Sequence, residues 1–453
     1  MKGAPLPGAR AGLRDVGITW KRGLPRQLVL ALDHLRLMLD FVFLAHTRMV
    51  NAGRPAKPRP PLHSKGKLRF PLELPLPSRA GSLCWPDVHR LGLAPAMNLK
   101  GLILAGGAGT RLRPLTYSSA KQLVPVANKP VLFYGIEAMR DAGIDEITIV
   151  VSPGQSGDEI RERTGDGSRW GLRIAYVEQH EPLGIAHAVL TAEEEIGDSQ
   201  FVVYLGDNLL RDGIDRMVEQ FKSSQPDALI LLQHVPNPTA FGVAELEGER
   251  VVRLTEKPPE PASDLALVGV YMFQPGIFDV CRSLEPSARG EYEITEAIQA
   301  LIDEGMRVEP HVVTGWWKDT GKWEDMLETN RLLLDTIEPR VEGELVDSRI
   351  EGRVSVGPGT RLERCQVRGP VAIGANALIR DAYIGPYSAV ADGCEIERAE
   401  IENSIVLENS KISDLEHRLE GSLIGRNVVI GGSNSKPKAY RLLVGDDSRI
   451  GIL

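Results

Sequence analysis

From residue 101 onward, short β-rich runs alternate with helical patterns, and this alternation restricts the fold more than any other feature. The β-rich runs lie at residues 101–105, 146–151, 172–177, 201–205 and 228–233, with helical patterns at 130–141, 185–195 and 212–222. Pro130 stands at a first-turn position, where its missing N–H costs nothing. Strands joined by helical crossovers pair in parallel, with helices covering both faces of the sheet. The expected class is therefore α/β, with a mostly parallel sheet. Ligands of such sheets bind beyond the carboxyl ends of the strands, so the residues after each β-rich run are the candidates for chemistry.

The first run ends in Leu104-Ala105-Gly106-Gly107-Ala108-Gly109-Thr110-Arg111-Leu112. Glycines there let backbone N–H groups approach a phosphate. No GK[ST] follows, and the third glycine of a dinucleotide fingerprint is replaced by Leu112, so neither of those motifs applies. Arg111 and, ten residues on, Lys121 supply two cations suited to a triphosphate. Asp207 follows the run at 201–205, where an acid commonly holds a divalent cation on a phosphate; taken alone, a turn or cap acid reads as well. Asp319, in Gly315-Trp-Trp-Lys-Asp-Thr-Gly321, is a second acid able to share that cation, while Trp316 and Trp317 are expected to pack. Lys257 could neutralise a sugar phosphate and Glu256 could accept sugar hydroxyls, against the plain reading of a surface ion pair.

Eight segments stand in one order: LAGGAGTRLRPLT, KQLVPVANKP, QHEPLGIAHA, YLGDN, AFGVAEL, EKPPEP, ARGEYEIT and WWKDTG. Together they resemble the sugar-1-phosphate nucleotidyltransferase superfamily, and within it the long-form glucose-1-phosphate thymidylyltransferases. The resemblance runs from about Met97 to the C-terminus. It implies a Rossmann-like domain, a direct displacement on the α-phosphorus of dTTP by glucose-1-phosphate, Mg²⁺ as cofactor, and a homo-oligomer. Transferred to this chain, Gly106, Gly107, Gly109, Thr110 and Arg111 match the nucleotide-phosphate loop. Lys121 matches the lysine on the triphosphate, and Gln179 and Gly184 match the positions that read the pyrimidine base. Asp207 and Asp319 match the metal pair. Gly242, Glu256, Lys257 and Val268 or Gly269 match the glucose-phosphate pocket, with Arg289 and Glu293 beside it. Arg111, Lys121, Lys257 and Asp207 are the expected catalytic residues. Phe241 departs from the Tyr of short-form relatives, and Glu296 from the usual Asp. UTP, another hexose-1-phosphate, or a non-catalytic scaffold of the same fold are the competing readings.

After about residue 338 helical patterns give way to an apolar-Gly signal at roughly hexapeptide spacing, as in Ile373-Gly374, Ile384-Gly385 and Ile424-Gly425. Apolar residues about six apart, such as Ile373 and Ile379 or Ile384, Val390 and Ile396, are expected to stack as the inward ladder of a β-helix. The resemblance makes it a left-handed parallel β-helix. His417 is its one histidine, which disfavours an acyltransferase tail. Cys365 and Cys394 are expected in the core.

The expected organisation is thus a basic Pro-rich extension over residues 1–96, a nucleotidyltransferase domain over 97–337 and the β-helix over 338–453. Residues 1–96 hold 16 Lys and Arg against 5 Asp and Glu, a charge of +11, while the rest of the chain carries −19. The extension is expected to be disordered or absent from the native protein, with Met97 the natural start. Its most apolar run, 28–50, is interrupted by Asp33, His34, Arg36 and Asp40, which makes it a poor membrane span. A net charge of −8 argues against a nucleic-acid partner. Four dispersed cysteines fit a reduced cytoplasmic compartment.

Overall fold

In this computed structural model the described residues are 99–432, except Ala108 and Glu249. The readings of the N-terminal extension lie outside them.

The expected strands and helices form, and they build one nine-stranded sheet. Leu99–Leu104 is central, flanked in parallel by Glu146–Val151 and Gln200–Leu205, with Arg173–Glu178 parallel beyond the former. Leu265–Phe273 then enters antiparallel against Gln200–Leu205 and Ala228–His234. The hairpin Gly242–Glu247 and Arg250–Glu256 extends the sheet antiparallel, while Val308–Val312 lies parallel to Ala228–His234. The parallel half is the one announced by the strand–helix alternation; the other half is mixed, its Gly242–Glu247 and Arg250–Glu256 strands joined by a tight hairpin and Leu265–Phe273 reaching Val308–Val312 through two helices.

Helix placement follows from residue spacing. Helix Val131–Asp141 buries Val131, Leu132, Gly135, Ile136 and Met139, one face at helical period. The Sδ of Met139 lies so near Gly101 that a Cβ there would stand 2.5 Å from it. Gly101 therefore lets the helix settle on the central strand. Apolar clusters fill both sides of the sheet.

Past the last helix, Trp323–Leu334, the chain winds into coils whose short strands form three parallel sheets of six, six and five strands. This is the β-helix. Its register corrects one expectation. Stacked in order are Ile379, Ile396, Ile412 and Ile430, and likewise Ile373 and Val390, so successive partners lie 16–18 positions apart. Residues six apart occupy successive faces of one coil, because three short faces make one turn. All the residues expected inside are buried, together with Cys365 and Cys394, whose thiols donate to backbone carbonyls. One corner of the coil repeats a left-handed residue at Asp347, Arg364, Asp381, Arg398 and Asp414. Arginine is an uncommon choice for that conformation. Here Arg364 is held by two hydrogen bonds to Asp381, of 2.6 and 2.7 Å, and Arg398 is likewise paired with Asp414.

The coil is not a separate body. Ala389, Ile405 and Leu407 on its outer surface share an apolar cluster with Leu112, Val124, Val126, Leu209 and Met326 of the α/β part. Among the described residues no helix is long and apolar enough to cross a membrane.

Candidate active site

The glycine segment leaves the central strand with Ala105 N–H donating to Val150 O, 2.8 Å. Gly107 (φ 108°) and Gly109 (φ 57°) adopt left-handed backbone, which only glycine takes without strain. The Gly107 N–H donates to Ser152 Oγ at 3.1 Å. Gly109 is also a close approach: a Cβ there would stand 3.0 Å from Cβ of Lys121. The loop and the lysine are thus neighbours in space.

Lys121 is only 9% exposed, and its ammonium sits between two acids. Nζ lies 2.5 Å from Asp207 Oδ2 and 3.9 Å from Asp319 Oδ1. The acids meet because Asn208–Leu210 pairs antiparallel with Trp317–Asp319, placing Asp319 opposite Asn208. Thr320 locks the turn, its N–H and hydroxyl both donating to the carbonyl of Asp207. Burial and the neighbouring Asp207 charge push the Asp319 carboxyl up to about 6. Arg111 acts in the opposite direction: its guanidinium lies against Gly321, within 3.2 Å of where a Cβ would stand. Asp319 Oδ1 is buried and has no hydrogen-bond donor. Two carboxylates with an unsatisfied buried oxygen form a set of hard donors that fits a divalent cation. Among the described residues no cluster of three or more potential ligands stands there. A pair of carboxylates is the kind of set that holds a divalent cation whose remaining ligands are substrate phosphates and water.

Asn208 and Trp317 orient this centre through hydrogen bonds that sequence reasoning missed. Asn208, buried, donates from Nδ2 to Asp207 Oδ1 (2.8 Å) and accepts from the Trp317 indole N–H (2.6 Å). An indole N–H only donates, so Trp317 fixes which way the Asn208 amide points. Trp317 packs as expected, edge-on to Phe241 at 5.1 Å, and also serves this hydrogen-bond chain. The aromatic pair Trp316-Trp317 was a signal, but its partner was invisible without the strand pairing.

Gln179 follows the strand Arg173–Glu178. Its Nε2 donates to Gly184 O (3.2 Å) and lies 2.9 Å from Nδ1 of His187, which turns Oε1 toward Gly106. His187 is a further residue that sequence reasoning missed. At Gly184 (φ 105°) a Cβ would strike the Tyr292 carbonyl oxygen at 2.5 Å. Gly184 therefore docks the Gln179 loop on the segment bearing Arg289 and Glu293.

On the other flank, Glu256 ends its strand with Oε1 near Arg289 Nη2 (3.1 Å) and Lys257 Nζ (3.2 Å), and with Oε2 accepting from Thr295 Oγ1. Arg289 also pairs with the buried Glu293 at 2.7 Å. Gly242 stands beside Thr295 and Glu256 Oε2, and Gly269 packs against Asn208. Direct contacts thus link Gly106 through Gln179 and Gly184 to the Glu256 cluster, and Gly269 through Asn208 to Asp207.

Residues 100–336 match the nucleotidyl transferase family. The chain belongs to that family. A Streptomyces antibioticus glucose-1-phosphate thymidylyltransferase is 52% identical over 78% of this chain and 99% of its own length, and one from Streptomyces griseus is 51% identical with the same coverage. A solved Bacillus anthracis structure, described as a candidate glucose-1-phosphate thymidylyltransferase, has a TM-score of 0.50 at 34% identity, over 54% of this chain and 98% of its own. In this nucleotidyl transferase the β-helix lies beyond the matched residues 100–336.

Proposed function

We propose that the chain transfers a deoxythymidylyl group from dTTP to glucose-1-phosphate, releasing pyrophosphate and dTDP-glucose. The observation that carries this is the buried Lys121 held between Asp207 and Asp319 beside the glycine loop. It is joined to relatives of 52% and 51% identity that bear the thymidylyltransferase name.

The Gly107 and Gly109 loop receives the triphosphate with Arg111 and Lys121. The Oε1 of Gln179, turned toward Gly106, accepts the N3–H that thymine and uracil both carry; cytosine offers an acceptor at that atom. Glu256, Lys257, Arg289 and Glu293 bind glucose-1-phosphate, with Lys257 near the phosphate. A phosphate oxygen of the sugar attacks the α-phosphorus, the new P–O bond forms as the bond to the β-phosphate breaks, and pyrophosphate carries away the electron pair. No protein nucleophile is required. The chain's work is to align two polyanions and offset their repulsion. Asp207 and Asp319 would hold Mg²⁺, which when bound supplies charge neutralisation on the reacting phosphates. A cytoplasmic homo-oligomer completes the reading.

Pyrophosphate release from the purified chain with Mg²⁺, across nucleoside triphosphates and hexose-1-phosphates, tests it. The expected best pair is dTTP with glucose-1-phosphate. A better rate with UTP or another hexose changes the substrate; no release with any pair sinks the activity.

A further inference from the structure

We propose that Arg426, in the last described coil of the β-helix, is a positioning residue for Lys121. Through it the coil sets how tightly the triphosphate is held. The proposal rests on the assignment of Lys121 to the triphosphate.

The segment carrying Lys121 has little structure of its own. Between Ala105 and the helix at Val131 it forms three one-turn helices, Thr110–Leu112, Leu115–Tyr117 and Lys121–Leu123, and a two-residue hairpin. Such a segment makes few backbone bonds to itself, so its position depends on what it leans against. On both sides of Lys121 it leans on the β-helix.

On the N-terminal side Arg426 works as a three-way clamp. Its Nη1 donates to Ser119 Oγ and to Glu159 Oε1, both at 3.0 Å, and its Nε donates to Glu408 Oε2 at 3.0 Å. Glu159 passes the restraint on: its Oε2 accepts the N–H of Ala120, the residue before Lys121, at 2.8 Å. Ser119 Oγ donates to Glu159 Oε1 as well. Leu115 lies against Gly425, where a Cβ would stand 3.1 Å from its Cδ2. On the C-terminal side the Asn128 amide donates to Val390 O (2.8 Å) and Ala372 O (3.3 Å) of the coil. Ala127 N–H donates to Asn330, which in turn donates to Tyr387 O.

The Arg426 and Glu159 side chains are 23% and 19% exposed, so water screens this pair less than an open surface pair. The planar fork of arginine reaches three acceptors at once; a lysine ammonium lacks that geometry. Arg418 offers a contrast. It pairs with Glu400 and Glu402 on the preceding coil of the β-helix, and the structure shows it in no contact with the Lys121 segment.

The test is steady-state kinetics on the full chain with R426M, R426K, E159Q and R418M. For R426M, kcat/KM for dTTP is expected to fall about tenfold, inside the roughly 100-fold that a 1 Å misplacement costs. KM for glucose-1-phosphate should stay within about twofold, the sign that only one substrate's contacts moved. R426K should recover part of the loss, E159Q should follow R426M, and R418M should match the wild type. The proposal is overturned if R426M keeps its dTTP efficiency, if both substrates weaken alike, or if R418M falls as far. Should R426M fail to fold, E159Q gives the answer by the same criteria. A wild-type chain that releases no pyrophosphate overturns the proposed function and this inference together. An active wild type with an unaffected R426M overturns the inference alone.

Discussion

The two flanks of the site handle charge in opposite ways. Around Asp207 and Asp319 the acids outnumber the buried cation: one lysine serves two carboxylates, and Asp319 Oδ1 has no hydrogen-bond donor. Around Glu256 and Glu293 the acids are already paired, by Arg289, Lys257 and Thr295. The first flank is short of positive charge, and on the proposed function a cation arriving with the nucleotide would complete it. The second has its acids partnered in advance, Arg289 being shared by Glu256, Glu291 and Glu293, and on the proposed function it would offer an ordered set of hydrogen-bond partners to a sugar phosphate. Where a buried carboxylate oxygen is left without a partner, chemistry is expected; where the acids are partnered, recognition is expected.

The largest expected effect tests the unbalanced flank. D207N removes the charge that both Lys121 and a metal ion need, and kcat should fall by about 100-fold or more, the range for loss of a key electrostatic group. Near-normal pyrophosphate release would refute the assignment. The next concerns orientation. W317F deletes the indole N–H that aims Asn208 at Asp207, and Mg²⁺ affinity should weaken by about tenfold, as on loss of an outer partner of a metal ligand. A metal titration of activity reads this, and an unchanged midpoint would make Trp317 a packing residue only.

On the balanced flank, E256Q should raise KM for glucose-1-phosphate by about tenfold, the worth of one hydrogen bond to a charged group, with KM for dTTP unchanged. An equal change in both substrates would erase the distinction between the flanks.

The smallest effect is a pH dependence. The Asp319 carboxyl is raised to about 6 by burial and by Asp207, above its unfolded value. Between those values the folded chain therefore holds a proton that the unfolded chain has lost. Stability from this group is present below the unfolded value and lost as pH climbs toward 6. Mg²⁺ offsets the repulsion, so it should raise Tm by a few degrees more at pH 7.5 than at pH 5. Equal shifts at the two pH values would show that Asp319 does not meet the ion.

Much of this was legible in the sequence because local chemistry repeats there. Gly107 and Gly109 announce a phosphate-approaching turn by their identity. Asp207 announces itself by standing directly after an apolar strand. Inward coil residues such as Ile379 and Ile396 announce a β-helix by recurring. The coil register was misread because hexapeptide spacing marks the faces of one turn, while stacking is set by the three-faced circumference. Trp317 and His187 went unread as polar partners because a hydrogen bond between residues distant in sequence leaves no local pattern.

The sequence by itself determined the elements, the glycine turns and the set of acids and bases, since propensity, periodicity and side-chain pKa are properties of residues and their near neighbours. Only the tertiary structure decided which charges stand unbalanced. Strand pairing brings Asp319 opposite Asn208, and the winding of the coil brings Arg426 to Glu159. Both are long-range encounters, and the energy of a charge depends on what the fold places within a few ångströms of it.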